Sequence, residues 1–190
     1  MAGERFNPEK ANSLLSEKRY KLIDPENVLT YFNVEQGNVV ADLGAGNGFL
    51  TLPIAKKTET TVYAVDIEPH MLELLKQRAD KEDIRNITYI EGGLYDIKLD
   101  DNSVDKAMIS LVLHEVADLS KALGEVKRIL KHGGQVLIIE WEAKRSEIGP
   151  PFEDKISSTE MEKILRNNGF NVDIKSFNDT IYALKGTAST

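Results

Sequence analysis

The sequence predicts an α/β fold: a seven-stranded, mostly parallel sheet with helices on both faces and an antiparallel last strand. Three observations predict it. Short apolar, β-branched runs alternate with amphipathic segments between residues 39 and 139. The run at 39–43 is apolar except for Asp42, as expected of a strand covered on both faces. The last two runs are joined by only Asn178-Asp179, a connection too tight for parallel strands.

The elements follow in order. Residues 39–43 form the first strand and 49–57 a helix. Thr61-Val62-Tyr63-Ala64-Val65 is the second strand. Pro69 stands where the first helical turn accepts it, and Met71, Leu72, Leu74 and Leu75 give that helix an apolar face to Ala79. Residues 86–90 are the third strand, Asp100-Asp101-Asn102-Ser103 a turn and 104–110 the fourth strand. A helix over 118–130 buries Leu119, Ala122, Leu123, Val126, Ile129 and Leu130, and His132-Gly133-Gly134 is expected to stop it. Residues 136–139 are the fifth strand, and 144–155 read as a loop around Gly149-Pro150-Pro151. Ser157-Ser158-Thr159-Glu160 has the form of a capping box for a helix over 157–168. Strands at 170–177 and 180–185 complete the sheet, and 186–190 read as a polar tail.

Composition narrows the function. With 41% hydrophobic and 29% charged residues, the 190-residue chain suits one soluble domain. No apolar run approaches the ~20 residues that span a bilayer, and the first residues lack a signal-peptide core. A cytoplasmic location is the expectation. The chain has no cysteine, which excludes disulfides, thiolate metal sites and cysteine nucleophiles. Only three histidines are present, so no metal site is expected. A net charge of −7 argues against a nucleic-acid partner, which needs a basic surface.

Ligands of such sheets bind beyond the carboxyl ends of the strands. At the first strand end, Gly44, Gly46 and Gly48 are spaced G-x-G-x-G. Glycines permit positive φ and close approach of a ligand, and the amides that follow are expected to offer free donors. The dinucleotide fingerprint G-x-G-x-x-G would place its third glycine at 49, where Phe49 stands. Asp42, just before the loop, suits a cationic amino group better than a phosphate. Asp66 ends the second strand ~20 residues on, where an acid accepts both hydroxyls of a ribose. Taken alone, Asp66 reads rather as a solvated strand-end or helix-capping aspartate ahead of Pro69, and the glycine loop turns the reading to ribose.

Several segments together resemble the class I S-adenosylmethionine-dependent methyltransferases. Asp42-Leu43-Gly44-Ala45-Gly46-Asn47-Gly48 resembles their first motif, and Val65-Asp66-Ile67-Glu68-Pro69-His70-Met71-Leu72 their second-strand motif. Asp101-Asn102-Ser103-Val104-Asp105, Leu113-His114-Glu115-Val116 and the stretch 125–134 resemble later ones. The nearest flavour is the group containing the ubiquinone and menaquinone biosynthesis enzymes. The resemblance implies a three-layer Rossmann-like core over 37–186, preceded by a helical lid over 1–36, in a single domain of 190 residues. It implies S-adenosyl-L-methionine as cofactor and S-adenosyl-L-homocysteine as product. Asp42, Gly44, Ala45, Gly46, Asn47 and Gly48 would hold the methionine end, Asp66 the ribose, with Ile67 against the adenine ring, and Met71 would also touch the cofactor. After the third strand, Gly92-Gly93-Leu94 replaces the usual Gly-Asp-Ala, so Gly93 and Leu94 would serve adenine through backbone and apolar contact. Ser110 and Leu111 would touch the cofactor at the fourth strand end.

His114 is the candidate base by position, its ordinary pKa of ~6.5 suiting proton transfer; a packing or capping histidine is the plain alternative. Glu115 reads as exposed. Trp141 and the loop after it stand where substrate loops are placed. Phe6, Tyr20 and Tyr31 belong to the lid segment. Ser110-Leu111-Val112-Leu113 replaces the Asn/Asp-Pro-Pro-Tyr of amide and exocyclic-amine methylation, and the lack of cysteine argues against arsenite. The expected acceptor is a small molecule, met by a monomer or homodimer. A protein acceptor, a non-catalytic cofactor-binding protein and a nicotinamide-dependent oxidoreductase are the competing readings.

Overall fold

The apolar runs pair into one sheet in a computed structural model that describes residues 14–189. In chain order its elements are α1 (Glu17–Leu22), α2 (Pro25–Phe32), β1 (Val40–Leu43), α3 (Thr51–Thr58), β2 (Val62–Asp66), α4 (Pro69–Lys81) and β3 (Ile87–Glu91). There follow β4 (Val104–Ser110), α5 (Leu119–Ile129), β5 (Leu130–Trp141), α6 (Ser158–Asn167), β6 (Phe170–Ser176) and β7 (Ile181–Ala188). The strand order is β3-β2-β1-β4-β5-β7-β6. β7 runs antiparallel to both β5 and β6, and the pairs among β1 to β5 are parallel. The order reverses between β1 and β4, which opens a crevice beyond their carboxyl ends. No described helix is long and apolar enough to cross a membrane.

β1 is buried at all four positions because both of its faces are covered. Ala41 and Leu43 face a core shared with Leu123 and Val126 of α5 and Met161 and Leu165 of α6. Val40 faces the opposite core, with Phe32 of α2 and Ile54 of α3. On α5, Ala122, Leu123, Val126 and Ile129 form the buried stripe. Burial of each of its larger side chains stabilises the fold by roughly 1.5–3 kcal/mol. Asp118 caps that helix by accepting from the Lys121 amide at 2.9 Å. Ser157 caps α6 through the Glu160 amide at 3.2 Å, as the capping-box pattern predicts.

Several boundaries differ from the sequence reading, and three of the differences have a clear local cause or consequence. α5 ends at Ile129, ahead of the glycines, because Leu130 is already extended (φ −71°, ψ 133°). Gly133 (φ +73°) and Gly134 then lie within β5, where the register against β4 slips between Val104↔Leu130 and Lys106↔Gln135. The glycines form a bulge rather than a helix stop. α3 starts at Thr51 instead of 49, since Gly48 at φ +87° keeps the chain out of helical geometry. The expected polar tail is strand as far as Ala188, which pairs with Phe170.

The segment before the core divides in two. Val28, Leu29 and Phe32 of α2 are at most 3% exposed and belong to the second core. Residues 14–22 lie beside the loop that follows β1.

Candidate active site

The loop after β1 is held mainly by main chain. The Gly44 and Ala45 amides donate to the Val65 carbonyl at 2.8 and 3.0 Å, and the Gly48 amide to Ala45 at 3.0 Å. The Gly46 amide donates to Asp66 Oδ2 at 2.7 Å. These four amides are therefore engaged within the protein itself. Gly44, Gly46 and Gly48 have φ of +83°, +53° and +87°, a region that favours glycine. A Cβ on Gly44 would stand 2.5 Å from Val112 Cγ2, and one on Gly48 2.1 Å from Leu75 Cδ1. On Gly46 it would meet, among the described residues, only Leu14 and Met71, at 3.5 and 3.6 Å, so Gly46 is the least crowded of the three glycines.

Two acids face this loop. Asp42 is 2% exposed and accepts from Thr51 Oγ1 at 2.6 Å. Burial pushes its carboxyl up to about 6; the Thr51 bond opposes the shift and the charge of Asp66 adds to it. Among the described residues no cation pairs with Asp42. Burial also raises Asp66, against hydrogen bonds from the Glu68 and Gly46 amides that favour its charged form. Beside Asp66, Ile67 is 46% exposed. A Cβ on Gly93 would lie 3.7 Å from Ile67 Cδ1, so the Ile67 side chain lies alongside the Gly93 backbone. Leu94 packs half-buried against the core behind it, and Asn47 and Met71 are buried at the loop.

The second side of the cleft starts at Ser110, whose Oγ is sealed and has no hydrogen-bond partner among the described residues. Leu111 follows in left-handed backbone at φ +57°, its amide on the Ile139 carbonyl at 2.8 Å. Such a leucine costs roughly 1–2 kcal/mol. The bend sets Val112 against Gly44 and starts the short 3-10 turn Leu113–Glu115.

His114 in that turn is 8% exposed. Its Nδ1 lies 3.0 and 3.1 Å from the two carboxylate oxygens of Glu140, itself 1% exposed. Glu140 also accepts the His114 and Trp141 amides, at 3.4 and 3.0 Å. His114 Nε2 is 3.7 Å from Glu115, whose side chain is 19% exposed rather than fully solvated. Burial alone would lower the His114 pKa, but the hydrogen bond and charge of Glu140, with Glu115 and Asp154, outweigh it and raise it. Glu140 as the partner of His114 was missed from sequence. Its signal is a carboxylate ending an otherwise apolar strand, since a buried charge must be paired. Trp141 is buried under the following loop, where a Cβ on Gly149 would come within 2.8 Å of the indole.

Over the glycine loop lies the segment that carries α1. Leu14 reaches towards Gly46, the Tyr20 ring meets Phe49 edge-on at 4.9 Å, and the Arg19 guanidinium stands 5.4 Å above Phe49. Burial lowers the Arg19 pKa to about 10 despite the charge of Glu140. No spacing pattern singled Arg19 out. Tyr31 is turned away, hydrogen-bonded to Asp173 of β6 at 3.1 Å. Phe6 lies outside the described residues.

A family model described as a methyltransferase domain matches residues 41–138. A 2-phytyl-1,4-naphtoquinone methyltransferase of Trichormus variabilis is 29% identical over 136 residues, covering 70% of this chain and 59% of that protein. The ubiquinone/menaquinone biosynthesis C-methyltransferase UbiE of Hydrogenovibrio crunogenus is 36% identical over 111 residues, 57% of this chain and 44% of that one. The chain thus spans about half the length of the curated relatives it matches. The crystal structure of a SAM-dependent methyltransferase from Aquifex aeolicus superposes with a TM-score of 0.91 at 29% identity, covering 96% of this chain and 99% of that one.

Proposed function

Because the chain belongs to the class I S-adenosylmethionine-dependent methyltransferases, we propose that it transfers the sulfonium methyl group to a small-molecule acceptor by in-line displacement. The observation that carries the reading is the hydrogen bond from the Gly46 amide to Asp66, which joins the first-strand and second-strand motifs into one cradle. The residues fit the cofactor. Among the described residues Asp42 is a buried acid without a cation and Ser110 Oγ a polar atom without a partner, and the space at Gly46 is one a side chain would fill. Asp42 and residues 44–48 would hold the methionine head, with Met71, Ser110 and Leu111 beside it. Asp66 keeps acceptor capacity for the ribose after its two amide bonds, and Ile67, Gly93 and Leu94 would take the adenine.

When bound, the sulfonium supplies an already activated methyl group, so the chain has chiefly to position an acceptor and exclude water. His114 is the proton acceptor where the acceptor arrives protonated. Glu140 holds Nδ1–H, which leaves Nε2 as the nitrogen available to a substrate. The segment 14–22 acts as a cover over the methionine end. Relatives named for naphthoquinone and ubiquinone/menaquinone methylation make hydroquinone-like aromatics the first acceptors to test.

Calorimetry tests the donor: adenosylmethionine and adenosylhomocysteine bind at micromolar levels and NAD does not. Asp66→Ala weakens that binding about 100-fold, the loss of charge-assisted bonds to two hydroxyls. Transfer of labelled methyl into aromatic metabolites tests the acceptor. Labelling only of proteins, or cofactor binding without transfer to any acceptor, would favour a protein-directed enzyme or a non-catalytic binder respectively.

A further inference from the structure

The covering helix α1 brings to the edge of the glycine loop a cation that has no charged partner among the described residues. Arg19 Nε is sealed from solvent and has no hydrogen-bond partner among the described residues. Its guanidinium faces the Phe49 ring instead of a carboxylate. Glu140 acts on it only through its field, because both Glu140 oxygens are engaged by His114 and one also by the Trp141 amide. The other arginine near the loop, Arg78, donates to the Asn47 carbonyl. A half-buried guanidinium in this state is costly and calls for an anion.

Asp42 presents the mirror image on the same loop: a buried carboxylate whose named partner is the neutral Thr51 hydroxyl. Asp42 precedes the glycines, and Arg19 rests on Phe49, which follows them. One chemical group satisfies both charges at once, the zwitterionic head of an α-amino acid. The only anionic group on adenosylmethionine is the carboxylate of that head.

We propose that Arg19 receives the α-carboxylate of the cofactor's methionine head, so that α1 closes on the cofactor through an ion pair. The proposal rests on the adenosylmethionine reading above. It makes α1 part of the binding site and explains why a short helix, with no fully buried side chain of its own, lies against the loop.

The test compares two ligands by calorimetry: adenosylhomocysteine, and its decarboxylated analogue, which keeps the amino group and lacks only the carboxylate. The unaltered protein is expected to bind the analogue roughly 10- to 100-fold more weakly, the strength of one charge-assisted pair. Arg19→Met, which preserves packing on Phe49, is expected to weaken adenosylhomocysteine by the same factor and leave the analogue unchanged. Arg19→Lys keeps the charge and retains part of the preference. Adenosylhomocysteine binding by Arg19→Met equal to that of the unaltered protein overturns the proposal. An equal loss of both ligands overturns it too, because it marks a purely structural role. If the unaltered protein binds neither ligand, the cofactor reading falls and takes this proposal with it.

Discussion

Around Gly44 to Gly48 the cleft wall is main chain held mainly by main chain, with Val65 and Ala45 carbonyls accepting its amides. Around His114 the wall is side chain held by side chain, with an imidazole and a carboxylate from strand ends 26 residues apart. The first arrangement needs residues that lack a Cβ, and it tolerates little else. The second needs two ionisable groups in register and leaves the surrounding shape free to vary. On the function proposed above, the methyl donor would belong to the rigid wall and the acceptor to the adaptable one.

The sharpest way to break this contrast is to add one methyl group to each of two glycines. Gly48→Ala meets fully buried Leu75 in a left-handed backbone. It should cost about 2–5 kcal/mol, from backbone strain and overpacking. Gly46→Ala meets only ordinary contacts and should cost about 1–2 kcal/mol in stability, from strain alone, while losing much of its cofactor affinity. Thermal unfolding and calorimetry on both variants check this. Equal destabilisation would remove the distinction between a packed glycine and one left open for a ligand.

The next effect is electrostatic. Asp42 has its carboxyl raised from 3.8 to about 6. The folded state therefore holds a proton the unfolded chain has released, and stability falls as pH rises from about 4 to about 6. Above that range the penalty is constant at about 3 kcal/mol. Asp42→Asn should remove it, stabilising the ligand-free protein by up to that amount at pH 8 and by almost nothing near pH 3.5. It should also weaken cofactor binding. Denaturant unfolding at the two pH values decides, and an unchanged or lower stability at pH 8 would show that the buried carboxylate is already compensated.

The smallest effect belongs to the side-chain wall. Glu140→Gln keeps the shape and removes the charge, leaving burial as the dominant influence on His114. The His114 pKa should then fall, as read by titration of its ring protons in NMR. In the unaltered protein the pair stabilises the fold fully below the ordinary histidine pKa, and that contribution fades as pH rises through the raised one. The variant should lose about 1.5–3 kcal/mol at pH 6 and less at pH 9. If His114 is the proton acceptor, the alkaline rise in methyl transfer should move to lower pH with it.

The contrast between the walls is also one of legibility. The glycine loop and Asp66 could be read because one strand–turn–helix places all of the loop in a single stretch, and a fixed crossover sets the distance to the next strand. The pairing of His114 with Glu140 depends on the β4–β5 register, in which Ser110 stands opposite Ile139. Nothing near either residue announces that register. It was further masked by the bulge at Gly133 and Gly134, which imitates a helix stop. Arg19 was unreadable for another reason: it stands out by lacking a counter-charge among the described residues, and a missing contact leaves no pattern along the chain.

The reversed strand β7 has a consequence for synthesis. It fills the gap between β5 and β6, pairing along β5 from Gln135↔Thr187 to Trp141↔Ile181. Before β7 is made, the growing chain already contains the glycine loop, His114 and Glu140, while Leu137, Ile138 and Ile139 lack the strand that pairs with them on that side. Until residues 181–188 leave the ribosome, that apolar edge is a template for any other unpaired strand. A chain released early would therefore carry every motif of the site and still be lost to aggregation.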